Sequence, residues 1–133
     1  MNKRSKTIIC DIDGVLLKHA NEGLSAQLEQ SPLDGTIEKL TDWDRKGYNI
    51  ILITGRRESQ RELTEKQLGI CKIFYDKLVM GVGGGDRILI NDRKPNSERD
   101  TAYSINLNRN EGVNNVKIWS HRRWLGKRST SRV

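Results

Sequence analysis

Short apolar runs separated by polar, glycine-marked turns recur along the chain, and several end in residues carrying oxygen ligands. The first, Thr7-Ile8-Ile9-Cys10, is brief and rich in β-branched residues, which predicts a buried parallel strand. It runs straight into Asp11-Ile12-Asp13-Gly14. A second run at 48–53 predicts another strand and ends in Thr54-Gly55-Arg56. Residues 74–80 give a third strand signal, 87–90 a fourth that ends in Asn91-Asp92, and a further strand is expected around 103–107. Between the first two strands, Leu33, Ile37, Leu40 and Trp43 recur at helical spacing behind Asp34, a candidate N-cap, and Gly47 closes that helix. A second helix over about 59–67 has few apolar positions, chiefly Leu63, so its charged residues are expected to face water. Its amino end is expected to favour a phosphate through free N–H groups and the helix dipole. Residues 16–25 show no sustained period and predict a loop or small hairpin over the mouth of the first strand, too short for a cap domain.

Strands alternating with helical segments predict an α/β fold, an open parallel Rossmann-like sheet with helices on both faces. Such sheets bind ligands in the crevice beyond the carboxyl ends of their strands, so the polar tips are expected to converge. Asp11 and Asp13 alternate onto one side of an extended backbone, and two anions that close require a cation or a shared proton. A magnesium ion is the usual solution. Gly14 lets the chain turn sharply and is expected to leave N–H groups facing an anion. The glycine run at 81–85 fits neither the Walker nor the dinucleotide spacing. His19, in the loop after the first strand, reads as a surface residue.

Composition adds boundaries to this picture. At 133 residues the chain is expected to be one domain, residues 1–116, with 117–133 as a basic C-terminal tail. Of the net charge of +7, Lys117, Arg122, Arg123, Lys127, Arg128 and Arg132 supply six, leaving +1 before them. Such a tail, with Trp119 and Trp124, reads either as a solvated terminus or as a nucleic-acid contact that follows phosphates and stacks on bases. No apolar run approaches the roughly 20 residues of a membrane span, so no membrane partner is expected. The basic residues 1–6 precede an apolar run that stops at Asp11, too soon for a secretory signal. Cys10 and Cys71 read as reduced thiols of a cytoplasmic protein.

Asp-x-Asp-Gly, Thr-Gly-Arg and Asn-Asp at the tips of the first, second and fourth expected strands together resemble the haloacid dehalogenase superfamily of phosphohydrolases over about residues 7–107. The resemblance implies that Asp11 is the nucleophile, Asp13 the acid/base and Thr54 the phosphate-binding hydroxyl. It also implies Gly14, Gly55 and Arg56 near the phosphate, and Mg²⁺ held by Asp11, Asp13 and Asp92 with Asn91 beside it. The strand order it implies is 5-4-1-2-3, without a cap. Residues 75–81 and 88–92 also look like small capless members associated with sugar and capsule biosynthesis. Two departures stand out. Asn91-Asp92 replaces the frequent Asp-Asp, leaving open which side chain reaches the metal. The family's lysine is expected just after Gly81, where this chain has Val82, so Lys77 or Arg87 is the nearest substitute, with Lys77 favoured for its flexible stem.

The expected activity is therefore Mg²⁺-dependent hydrolysis of a phosphomonoester through an aspartyl-phosphate, on a small metabolite such as a sugar phosphate. The alternatives are removal of a terminal phosphate from a nucleic acid, and a binding module that kept the fold without turnover. Specificity is expected from residues 16–31 or from a second copy of the chain covering an open site.

Overall fold

A computed structural model describes residues 5–118. Among them three strands form one parallel sheet in the order β1-β2-β3: β1 is Thr7–Asp11, β2 Asn49–Ile53 and β3 Lys77–Val79. The connections carry helices α1 (Leu24–Gln27), α2 (Thr36–Arg45) and α3 (Arg61–Ile70), the last entered through a 3₁₀ turn at Glu58–Gln60. This is an open parallel α/β arrangement. Asp11 is level with Ile53, and Ile53 with Val79, so the carboxyl ends of the three strands lie along one edge of the sheet. That register sets Asp11, Thr54 and Met80 at the same edge.

Ile12, Leu16, Leu17, Leu40, Leu52 and Leu68 are fully buried, with Trp43 and Ile50 nearly so. Each such side chain contributes on the order of 1.5–3 kcal/mol when withdrawn from water. Helix α2 turns Thr36, Leu40 and Trp43 inward. Its entry differs from expectation, because Gly35 rather than Asp34 is the N-cap, at φ +86° and without a side-chain hydrogen bond. A Cβ at Gly35 would lie 2.5 Å from Asn114 Oδ1, so close approach of the backbone at 114 and the left-handed φ both require glycine. The buried Thr36 hydroxyl donates to the Leu16 carbonyl at 2.9 Å and ties the helix to the chain leaving β1.

The chain divides into two compact units. One takes in the described residues up to Gly84 together with Leu107–Asn115, and it holds every strand and helix named above. The other takes in Gly85–Asn106 with the described residues from Val116 onward. Its described residues form no strand, so the strands expected at 87–90 and 103–107 are not formed, and of the order 5-4-1-2-3 the sheet contains 1-2-3. An apolar run becomes a strand only by pairing its N–H and C=O groups with a neighbour, and 87–90 has no ladder among the described residues. Ile88 and Ile90 are 83% and 91% exposed instead of buried. No helix among the described residues is long and apolar enough to cross a membrane.

Candidate active site

The turn after β1 is built around Ile12, whose buried side chain fixes the backbone between the two aspartates. The Ile12 carbonyl accepts from the N–H groups of Val15, Leu16 and Leu17 at 3.2, 2.9 and 3.1 Å, and Gly14 N–H donates to the Leu17 carbonyl at 2.7 Å. The N–H groups from 14 to 17 are therefore used within the turn, and the expected anion-facing amides of Gly14 and its successors are not open. Gly14 is required for its φ of +89°. Asp11 is exposed at the end of β1, with Oδ1 accepting from Ile12 N–H at 2.9 Å. Behind it, burial and the Asp11 charge push the Cys10 thiol up to about 12, which keeps it protonated and excludes it as a nucleophile.

The segment around Asn110 closes over this turn. Asn110 N–H donates to the Gly14 carbonyl at 2.8 Å, and His19 N–H donates to Asn110 Oδ1 at 2.8 Å. A Cβ at Gly14 would meet the side chains of Arg109 (Cγ at 3.5 Å) and His19 (Cβ at 3.8 Å), so both flank the Asp-x-Asp-Gly turn. Neither was expected there. The only sequence signal for the segment is the turn-forming Asn108-Arg109-Asn110-Glu111-Gly112, which shows a turn without showing what it packs on.

Asp13 is held by a buried guanidinium. Arg56 Nε donates to Asp13 Oδ2 at 3.1 Å and Nη2 to Oδ1 at 2.8 Å, a bidentate pair in which the Arg56 side chain is 5% exposed and that of Asp13 21%. Nη1 donates to Thr64 Oγ1 at 3.1 Å and to Gln67 Oε1 at 2.9 Å, so four of the five N–H donors of Arg56 are directed by neighbouring side chains. Expected near the substrate phosphate, Arg56 instead fixes the carboxylate of the second aspartate. Helix α3 supplies the support from Thr64, Gln67 and Leu68, its buried residues, while Leu63 is half exposed. Thr64 and Gln67 were not expected in the site. Their signal was a pair of polar residues one turn apart on the face that also carries Leu68.

Thr54 is buried, and its hydroxyl oxygen accepts from Arg56 N–H at 3.1 Å. Its N–H donates to the Val79 carbonyl at 3.0 Å and its carbonyl accepts from Val82 N–H at 3.1 Å, while Gly81 N–H donates to the Arg56 carbonyl at 2.7 Å. Gly55 lies against Gly83, whose carbonyl oxygen would be 3.3 Å from an added Cβ. The Thr-Gly-Arg turn is thus stitched to the chain leaving β3, and that stitching aims Arg56 at Asp13.

Lys77 is exposed at the start of β3, level with Ile51 of β2, which is itself level with Ile9. Two residues short of the tip and two strands across, it stands roughly 12 Å from Asp11 by backbone spacing, with its side chain directed off the sheet. Arg87 belongs to the other unit and donates to the Gly85 carbonyl at 2.7 Å. Within the unit that holds the sheet, the cation bonded to Asp13 is Arg56 rather than Lys77.

Asn91 and Asp92 also belong to the other unit, where Asn91 Nδ2 donates to Thr101 Oγ1 at 2.8 Å and Asp92 lies 3.9 Å from the Lys94 ammonium. Among the described residues no group of three or more histidine, cysteine or carboxylate side chains is placed to hold a metal. At the β1 tip Asp11 has the hard-oxygen chemistry that Mg²⁺ takes, whereas both carboxylate oxygens of Asp13 already accept from Arg56.

No protein-family model matches the chain, and no curated protein matches it. Among solved structures it is similar to a chain of a Pnkp1/Rnl/Hen1 complex, at 32% identity and a TM-score of 0.51 over 57% of this chain and 27% of that one. A second, from a Pnkp1/Rnl/Hen1 RNA repair complex, is 27% identical with a TM-score of 0.50 over 73% of this chain and 28% of that one. A third is a candidate 3-deoxy-D-manno-octulosonate 8-phosphate phosphatase from Vibrio cholerae, 24% identical with a TM-score of 0.37 over 58% of this chain and 41% of that one. The chain thus spans little more than a quarter of the length of the first two chains it matches.

Proposed function

We propose that the chain is a Mg²⁺-dependent phosphohydrolase that releases phosphate from a phosphomonoester through an aspartyl-phosphate on Asp11. The observation that carries the proposal is the buried Arg56 guanidinium converging on Asp13, two residues beyond Asp11 at the edge where the strands end. Desolvating an arginine is costly, and a plain surface turn has no need of one to hold its aspartate. An acid/base carboxylate does need a fixed orientation relative to a neighbouring nucleophile.

An Asp11 oxygen attacks phosphorus and the ester P–O bond breaks, with Asp13 giving its proton to the departing oxygen. Water then attacks the aspartyl-phosphate while Asp13 takes its proton, freeing phosphate and restoring Asp11 as a carboxylate and Asp13 as the protonated acid. Arg56 keeps Asp13 aimed through both steps, and Thr54 offers its hydroxyl hydrogen to a phosphoryl oxygen. Mg²⁺, when bound, shields the Asp11 carboxylate from the anionic substrate. Asp11 is its proposed ligand at the β1 tip.

The likeness of residues 75–81 and 88–92 to small capless phosphatases points to a metabolite, sugar phosphates first. A second reading, a terminal phosphate on a nucleic acid, is favoured by the similarity to chains of RNA repair complexes. Phosphate release should be measured with Mg²⁺ on sugar phosphates and on oligonucleotides phosphorylated at either end. Turnover of one class at least tenfold above the other identifies the substrate, and no release from any member refutes the phosphohydrolase reading.

A further inference from the structure

Thr64 and Gln67 are polar, buried and one helical turn apart, and each spends its side-chain oxygen on the same nitrogen, Arg56 Nη1. Burying a hydroxyl and an amide is unfavourable unless their bonds are made, so this face of α3 is specified for a guanidinium rather than for apolar packing. With Nη1 fixed, the planar group can present only its Nε and Nη2 edge to Asp13, as it does at 3.1 and 2.8 Å. Gln67 extends the chain of bonds further. Its Nε2 donates to the Gln27 carbonyl at 2.9 Å and to the Gln30 carbonyl at 3.3 Å. The Gln27 side chain in turn donates to the Lys18 carbonyl at 2.7 Å and accepts from Ala20 N–H at 2.6 Å. A continuous run of hydrogen bonds thus links the Asp13 carboxylate to the segment that follows it in sequence.

We infer that Thr64 and Gln67 are positioning residues for the proton-transfer step, acting on Asp13 through Arg56. This rests on the phosphohydrolase reading, in which Asp13 protonates the leaving oxygen. A displaced acid matters most where the leaving group is basic and needs its proton, and least where the leaving group departs readily as an anion. A merely structural role would lower turnover of both kinds of ester together.

The test compares phenyl phosphate with 4-nitrophenyl phosphate, two esters of similar shape, in the full chain with Mg²⁺. For Thr64→Val and for Gln67→Met, kcat on phenyl phosphate is expected to fall by about tenfold or more, part of the range that general acid catalysis supplies. On 4-nitrophenyl phosphate it is expected to fall by less than about threefold, with KM unchanged for both esters. Thr64→Ser, which keeps the accepting oxygen, should restore the parent ratio of the two rates. Circular dichroism checks folding, and either variant alone suffices should the other not fold. Equal losses on both esters, or none, overturn the positioning role while leaving the phosphohydrolase reading in place. An unsubstituted protein that releases phosphate from neither ester and from no sugar phosphate or phosphorylated oligonucleotide overturns both.

Discussion

Arg56 sets the chemistry of the site at the scale of single residues. Its charge could be replaced by lysine, but its geometry could not, because a lysine ammonium is a point charge without the planar fork that reaches Asp13, Thr64 and Gln67 together. Arg56→Lys is expected to leave at least one buried acceptor on α3 unpaired, lowering stability by about 2 kcal/mol in denaturant unfolding. Turnover should fall by about a hundredfold, in line with the loss of an oriented acid. Retention of both stability and rate would mean that the ion pair is incidental. Sequence reading singled out Arg56 and both aspartates but assigned the arginine to substrate, because spacing along a turn does not show which way a long side chain folds back.

Helix α3 shows why a hydrophobic pattern alone misled at the scale of elements. Leu63 was the apolar marker, yet it is half exposed, and the buried face carries Thr64 and Gln67 because their partner is a cation rather than an apolar core. Strands β1 and β2 were legible, being short β-branched runs that pair in register at the expected places. The run at 87–90 gave the same signal without forming a strand, since periodicity describes one segment and pairing requires two. Strand β1 carries a test of its own packing. The Cys10 thiol is neutral and raised to about 12 in the folded strand, against 9.0 as its ordinary value. Above pH 9 the unfolded chain binds fewer protons at this residue than the folded one, so unfolding free energy should decline with rising pH by roughly 1 kcal/mol per unit until about pH 12. Denaturant unfolding of the parent and of Cys10→Ala across that window should show the steeper decline in the parent. Parallel curves would contradict burial of the thiol.

For the whole molecule, the open parallel sheet and its common edge were readable from alternating strand and helix signals. The division into two units was not, nor was the return of Leu107–Asn115 to the unit that holds the sheet. The return depends on contacts between segments distant in sequence, among them the bonds from Asn110 N–H to the Gly14 carbonyl and from His19 N–H to Asn110 Oδ1, and the close approach of Asn114 to Gly35. The expected basic tail falls largely on residues 119–133, outside the described residues, so Trp119, Trp124 and the arginines around them stay with the sequence-based expectation of either a solvated terminus or a nucleic-acid contact. The proposed activity rests on the pair of carboxylates leaving β1, one exposed and one clamped. The most direct test is phosphate release by purified Asp11→Asn and by the parent protein, with Mg²⁺ and with a chelator, on the best substrate found. Asparagine keeps the size of Asp11 and removes its nucleophilic charge, so turnover should fall by about three orders of magnitude or more while the circular dichroism spectrum is unchanged. The parent should lose activity in chelator and regain it with Mg²⁺. Turnover by a folded Asp11→Asn protein equal to that of the parent would contradict the account.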